Sequence, residues 1–288
     1  MNRFAIKACA DILGESLIKN LPADVQLSYY FKNNRNLGSS DRSDIAEIYY
    51  GVIRNKRLLE EIVGDAHCKK MILVYLLVLK GHSIKELSRV TDEYEIEWLV
   101  EKKKNKVHID SWPTKLSLPD WIWAKLVLYY GEEEAIAFGT SLLSPATLQL
   151  RVNSLKTLSV QDVVNEFRLS FPDAVVKIKK TELSKHGITL PRGTAIQKHP
   201  LFLGGVIEVQ EEGSQLLTLL LDVKRGHMVA DFCAGAGGKT LALSALMKNT
   251  GRIYAFDISD RRLANMKQRL KRSGASNIAM QRISNEND

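Results

Sequence analysis

One segment constrains the fold more than any other: Asp231-Phe232-Cys233-Ala234-Gly235-Ala236-Gly237-Gly238-Lys239-Thr240. It joins the apolar run Met228-Val229-Ala230-Asp231-Phe232 to a stretch of helical character over 239–248. Gly235, Gly237 and Gly238 let the backbone turn sharply and let a ligand come close to the main chain. A helix that opens there presents N–H groups and the positive end of its dipole to an acidic ligand group. Asp257 closes the next apolar run, Arg252-Ile253-Tyr254-Ala255-Phe256. That is about 20 residues further on, where a Rossmann-type site places the acid that accepts hydrogen bonds from ribose hydroxyls.

Three ligands suit this frame to different degrees. Gly238-Lys239-Thr240 mimics the end of a P-loop, but a P-loop needs a glycine where Cys233 stands. A dinucleotide site has Gly235-x-Gly237, yet its third glycine falls on Thr240. S-adenosylmethionine keeps a ribose for the strand-end acid and has no pyrophosphate to cradle, so it tolerates this departure and is favoured. The bland alternatives are a small buried thiol at Cys233, a solvated helix start at Lys239 and a helix-capping acid at Asp257.

The surrounding pattern extends the frame. From about 206 the chain reads β-α-β-α-β. Strands are expected over 206–209, 228–232, 252–256 and 277–281, with helices over 214–221 and 239–248. Leu241, Ala245 and Met247 give the second helix a packing face. Ser259 caps a further helix with an apolar stripe of Leu263, Met266 and Leu270, and Gly274 ends it. Strands alternating with helices imply parallel pairing through right-handed crossovers. The apolar character of 252–256 suits a sheet covered on both faces.

Upstream, 145–205 reads as a small α+β module. Thr147–Val152 alternates as a half-buried strand, a helix follows over 159–167, and Val175-Val176-Lys177-Ile178-Lys179 alternates again. Lys177, Lys179, Lys180 and Lys185 fit an RNA face or, equally, a lysine-protected edge strand. Residues 1–140 read as helical. Ile45, Ile48, Tyr49, Val52 and Ile53 recur at helical spacing behind Asp41, a candidate cap after Gly38-Ser39-Ser40. The runs 71–79 and 132–138 look like further helices. The lysine run 102–106 is a basic helix end or loop, solvated or facing phosphates.

Composition bounds the class. The chain has 288 residues, 45% of them hydrophobic, which is enough for several folded domains. Lys plus Arg number 41 against 33 for Asp plus Glu, a net +8 that favours polyanionic partners such as nucleic acid. Three cysteines, none in a CxxC pair or a zinc-like cluster, argue against a disulfide framework and a zinc site and suit a reducing cytoplasm. No apolar run approaches the roughly 20 residues of a membrane helix, and no secretion signal opens the chain. Neither a membrane nor a metal is expected as a partner.

The glycine segment resembles the first motif of the Sun/RsmB family of RNA cytosine-C5 methyltransferases, a strand followed by Cys-Ala-Ala/Gly-x-Gly-Gly-Lys-Thr. Ala236 departs from the proline that many members carry there, which alters loop stiffness more than chemistry. Leu150-Arg151-Val152-Asn153-Ser154-Leu155-Lys156 resembles the family's Leu-Arg-x-Asn-x-Leu-Lys segment. Gly205 with Val209-Gln210-Glu211-Glu212-Gly213-Ser214-Gln215 resembles its lead into the catalytic domain. Leu118-Pro119-Asp120-Trp121 resembles its Leu-Pro-x-Trp element, and the helices around Tyr49-Tyr50-Gly51-Val52-Ile53-Arg54 resemble a NusB-like domain.

The resemblance implies a NusB-like helical domain over 1–140, a small α+β RNA-binding module over 145–205, and the front of a Rossmann-like methyltransferase domain over 206–288. It implies S-adenosyl-L-methionine as cofactor, with Cys233, Ala234, Gly235, Ala236, Gly237, Gly238 and Lys239 wrapping it and Asp257 holding its ribose. It implies RNA as partner, with 16S ribosomal RNA the expected species. Such enzymes attack cytosine C6 with a cysteine thiolate so that C5 can take the methyl group. The family's two cysteines lie beyond the third strand, one in Asp-x-Pro-Cys, and none of Cys9, Cys68 or Cys233 sits in such a segment. A chain without the nucleophile is expected to be inactive alone, and a sheet lacking its later strands to be weakly stable. Asp288 is a position where the family's adenine-side acid could fall. The competing readings are a non-catalytic RNA-binding module and a Rossmann NAD-dependent oxidoreductase.

Overall fold

The computed structural model describes residues 3–19, 21–105 and 107–285. Asp288 and Lys106 lie outside them. The chain divides into two compact units, Met1–Ser144 and Pro145–Asp288.

The first unit has helices and no strand among its described residues. Its core is built on Arg3–Lys19, Ser39–Arg54 and Cys68–Val74, which pack through Ile6, Cys9, Ile45, Tyr49, Met71 and Ile72. Tyr49 is fully buried, and its hydroxyl lies 2.7 Å from Ser16 Oγ, so the aromatic ring enters the core without an unpaired polar end. Ile45, Ile48, Tyr49 and Val52 all point inward, as their spacing requires. Ser39 and Ser40 are helical, so the cap position falls on Gly38 rather than Asp41, which sits in the first turn where its charge still suits the dipole. The run 71–79 continues from α-helix into a π-helical turn, Tyr75–Leu79. Leu118 is buried, and its carbonyl accepts from Arg57 Nη1 at 2.6 Å, which anchors the start of the helix Asp120–Tyr130.

The second unit contains two sheets. The first is antiparallel with strand order β2-β3-β1-β4, formed by β1 (Leu148–Val152), β2 (Lys179–Lys180), β3 (Gly187–Leu190) and β4 (Ile207–Val209). The helix Val160–Ser170 covers it through Val163, Val164 and Phe167. Two expectations change here. Residues 172–177 form a 3-10 helix, because Pro172 fixes a helical φ at the first position, and only Lys179–Lys180 is strand. The strand at 206–209 pairs antiparallel with β1, so it completes this sheet and does not open the parallel one.

The second sheet has the order β5-β6-β7, all parallel, from β5 (Met228–Asp231), β6 (Arg252–Asp257) and β7 (Ile278–Arg282). The crossovers place Gly238–Leu246 and Asp260–Ser273 on one face. Ile253 and Ala255 are buried there with Leu243, Met247, Leu263 and Met266. The other face is not covered among the described residues, contrary to the two-sided burial expected. Met228 is 73% exposed and Tyr254 37%. No described helix is long and apolar enough to cross a membrane.

Polar side chains join the two sheets. Asn153 Nδ2 donates to the carbonyls of Gly205 and Ser273, both at 2.9 Å. Gly205 has φ +68°, and a Cβ on it would lie 2.0 Å from the Arg272 carbonyl oxygen, so only glycine permits this approach. Gln215 Nε2 donates to the Gln210 carbonyl at 2.8 Å and to that of Leu150 at 3.3 Å, while its Oε1 accepts from Ser184 Oγ at 2.7 Å. Arg151 Nε donates to Gln210 Oε1 at 2.7 Å. Burial pushes the Arg151 guanidinium down to about 10, against the opposing pull of Glu208. The buried Arg151, Asn153, Gln210 and Gln215 of the segments 150–156 and 209–215 thus form a joint inside this unit.

Candidate functional site

The site is the turn between β5 and the helix Gly238–Leu246. β5 ends on Asp231, whose Oδ2 accepts from the fully buried Thr240 Oγ1 at 2.7 Å. That bond staples the helix start to the strand end, so Thr240 is occupied with structure. Between them the chain reverses through Gly235 at φ +55° and Gly237 at φ +84°. A side chain at Gly237 would strain the backbone, and its Cβ would meet Met266 Cγ at 2.6 Å. The loop is tied down by Ala234 N–H to the Phe256 carbonyl at 2.9 Å and Gly237 N–H to the Ala234 carbonyl at 2.8 Å.

Asp257 closes β6 beside this turn and is 4% exposed. Its Oδ2 accepts from Gly235 N–H and its Oδ1 from Ser259 N–H, each at 2.8 Å. Through these two backbone donors the carboxylate fixes both the turn and the start of the next helix. Each oxygen keeps a second lone pair. Space opens beside the turn: a Cβ at Gly238 would meet nothing within 4 Å, and one at Gly235 nothing nearer than 3.9 Å. The first-turn N–H groups of the helix beside it lack intrahelical acceptors.

Of the residues singled out by sequence, Gly235 and Asp257 are in direct contact. Ala234 and Gly237 are buried within the turn, Gly238 and Ala236 are half-buried, and Cys233 and Lys239 are exposed. Asp231 and Thr240 act as a pair that sequence reading did not separate from the motif around them. Arg269 was missed as well: its Nη1 donates to the Ala236 carbonyl at 2.9 Å. Its place on a basic helix gives no signal that it turns inward. The other two cysteines are poorly suited to attack. Burial pushes the Cys9 thiol up to about 12 and raises that of Cys68.

A glycine turn at the carboxyl end of one parallel strand, with an acid at the end of the next, defines a class: a Rossmann-like α/β lobe. The comparisons place it further. Residues 218–287 match the family model of the 16S rRNA methyltransferase RsmB/F. A Bacillus subtilis protein described as a probable ribosomal RNA small subunit methyltransferase B is 25% identical, over 93% of this chain and 66% of its own length. The Arabidopsis thaliana 25S rRNA (cytosine-C(5))-methyltransferase NSUN5 is 33% identical, over 45% of this chain and 22% of its own. Among solved structures, a methyltransferase homolog from Pyrococcus horikoshii is 34% identical with a TM-score of 0.51, covering 59% of this chain and 54% of that one. The crystal structure of PH0851 shares the fold over 99% of this chain and 70% of its own, with a TM-score of 0.70 at 23% identity. The resemblance to the Sun/RsmB family is therefore borne out. The chain spans 66% of the length of its Bacillus relative and a smaller share of the plant one.

Proposed function

We propose that this chain is the RNA-facing and cofactor-holding part of an RNA cytosine-C5 methyltransferase acting on ribosomal RNA, with 16S the expected species. The observation that carries the reading is the contact between Gly235 and Asp257 beside an open space, at the place where a Rossmann-like lobe takes a nucleoside. S-adenosyl-L-methionine fits these residues. Asp257 would offer its remaining lone pairs to the ribose hydroxyls, Gly235 to Gly238 would leave room for the ligand against the main chain, and the helix N-terminus would suit its carboxylate. Cys233, Ala234, Ala236 and Lys239 would complete the wrap. When bound, the cofactor supplies an electrophilic methyl group. The protein's part is to orient that group and to present the RNA.

The helices of the first unit are proposed as a NusB-like RNA-binding domain, and 145–205 as an RNA-binding module. The exposed Lys177, Lys179, Lys180 and Lys185 of that module are available to phosphates. Bisulfite sequencing of small-subunit rRNA tests the function. A cytosine protected in the parent strain becomes convertible when the gene is deleted. An unchanged protection pattern contradicts the reading.

A further inference from the structure

Arg269 lies on the helix Asp260–Ser273 with three of its donors committed. Nε and Nη2 both reach Glu208 Oε2 at 2.9 Å, and Nη1 reaches the Ala236 carbonyl at 2.9 Å. Glu208 stands on β4 of the antiparallel sheet and is 1% exposed. Its other oxygen, Oε1, accepts from Arg272 Nη2 at 2.8 Å. A buried carboxylate gripped by two guanidiniums has no low-cost alternative partner, so it holds the plane of Arg269 in one orientation. The fork of that same guanidinium then delivers an N–H to the middle of the glycine turn.

We propose that Arg269 is a positioning residue for the cofactor turn. It acts through the Ala236 carbonyl, is held in place by Glu208, and fixes the turn that Gly235 and Gly237 form. The inference rests on the reading of that turn as a cofactor site. A lysine at 269 keeps a charge for Glu208 but has no fork to bridge the carboxylate and the carbonyl together. Arg272 is the internal control, because it shares Glu208 while its guanidinium carbon lies over the Phe202 ring, 4.0 Å from the centroid.

The test compares Arg269→Lys, Arg272→Lys and the parent chain by calorimetry with S-adenosylhomocysteine and by hydrogen exchange over 233–238 without ligand. Arg269→Lys is expected to weaken binding by about tenfold, the size of one lost charge-assisted hydrogen bond, and to speed exchange in the turn. Arg272→Lys is expected to leave affinity within about twofold and turn exchange unchanged. Glu208→Gln, which keeps Arg269 but loosens its clamp, is expected to speed turn exchange as well, and serves if Arg269→Lys does not fold. Equal effects of the two arginine variants, or parent-like exchange and affinity in Arg269→Lys, overturn the proposal. If the parent chain binds no S-adenosylhomocysteine while Arg269→Lys still loosens the turn, the cofactor reading fails and the positioning of the turn stands.

Discussion

The two sheets of the second unit solve the same burial problem differently. The antiparallel sheet closes a core around Leu150, Phe167, Ile178, Ile188 and Ile207, all fully buried. The parallel sheet buries Ile253 and Ala255 on one face and exposes Met228 and Tyr254 on the other. Phe232 lies beside Phe256 at 5.2 Å between centroids and is 56% exposed. Parallel sheets are ordinarily covered on both faces. The antiparallel sheet is thus the better-packed part of the unit, and the parallel one carries the candidate turn on less packing. Asn153 and Glu208 tie the first to the second, through the Ser273 carbonyl and the Arg269 guanidinium.

The sharpest contrast is in core truncation. Phe167→Ala, in the antiparallel core, is expected to cost about 3–5 kcal/mol in urea unfolding. Met228→Ala, on the exposed parallel face, is expected to cost under about 0.5 kcal/mol. Comparable losses at the two sites would erase the distinction. Gly237→Ala comes next. A side chain at positive φ costs about 1–2 kcal/mol before any displacement of Met266, so the melt should fall by several degrees and donor binding with it. A variant as stable as the parent would show that the turn is looser than its contacts imply.

Asp257→Asn should cost a similar or smaller amount, about 1–2 kcal/mol, because the amide can accept from only one of the Gly235 and Ser259 N–H groups on its oxygen. Its larger effect is expected on affinity for the methyl donor. The smallest effect is one of rate. Cys233 is exposed, whereas Cys9 is buried with its thiol pushed up to about 12. At pH 8 the Cys9 thiolate is scarce, so alkylation should label Cys233 first and Cys9 only on unfolding. Raising the pH towards 12 increases the Cys9 thiolate. Early labelling of Cys9 near neutrality would contradict its burial.

Most of the elements were legible because period and punctuation agree. Gly274 ends the helix Asp260–Ser273 in the left-handed conformation, and Ser259 caps it, as their residue types require. The alternation at 175–179 misled because Pro172 and the turn it starts override a short β pattern. The pairing of β4 was invisible for another reason: partner choice is non-local, and β1 lies far upstream. In the site, the glycine turn and Asp257 were readable from spacing alone. Arg269 was not, because the carboxylate that turns it inward is 61 residues away in sequence.

Calorimetric titration of the purified chain with S-adenosylmethionine, NAD and ATP in parallel is the decisive measurement. Saturable binding of the methyl donor, weakened in Asp257→Asn and absent for NAD and ATP, is the expected result. Binding of NAD or ATP with no response to the donor would contradict the assignment of the Gly235–Asp257 turn.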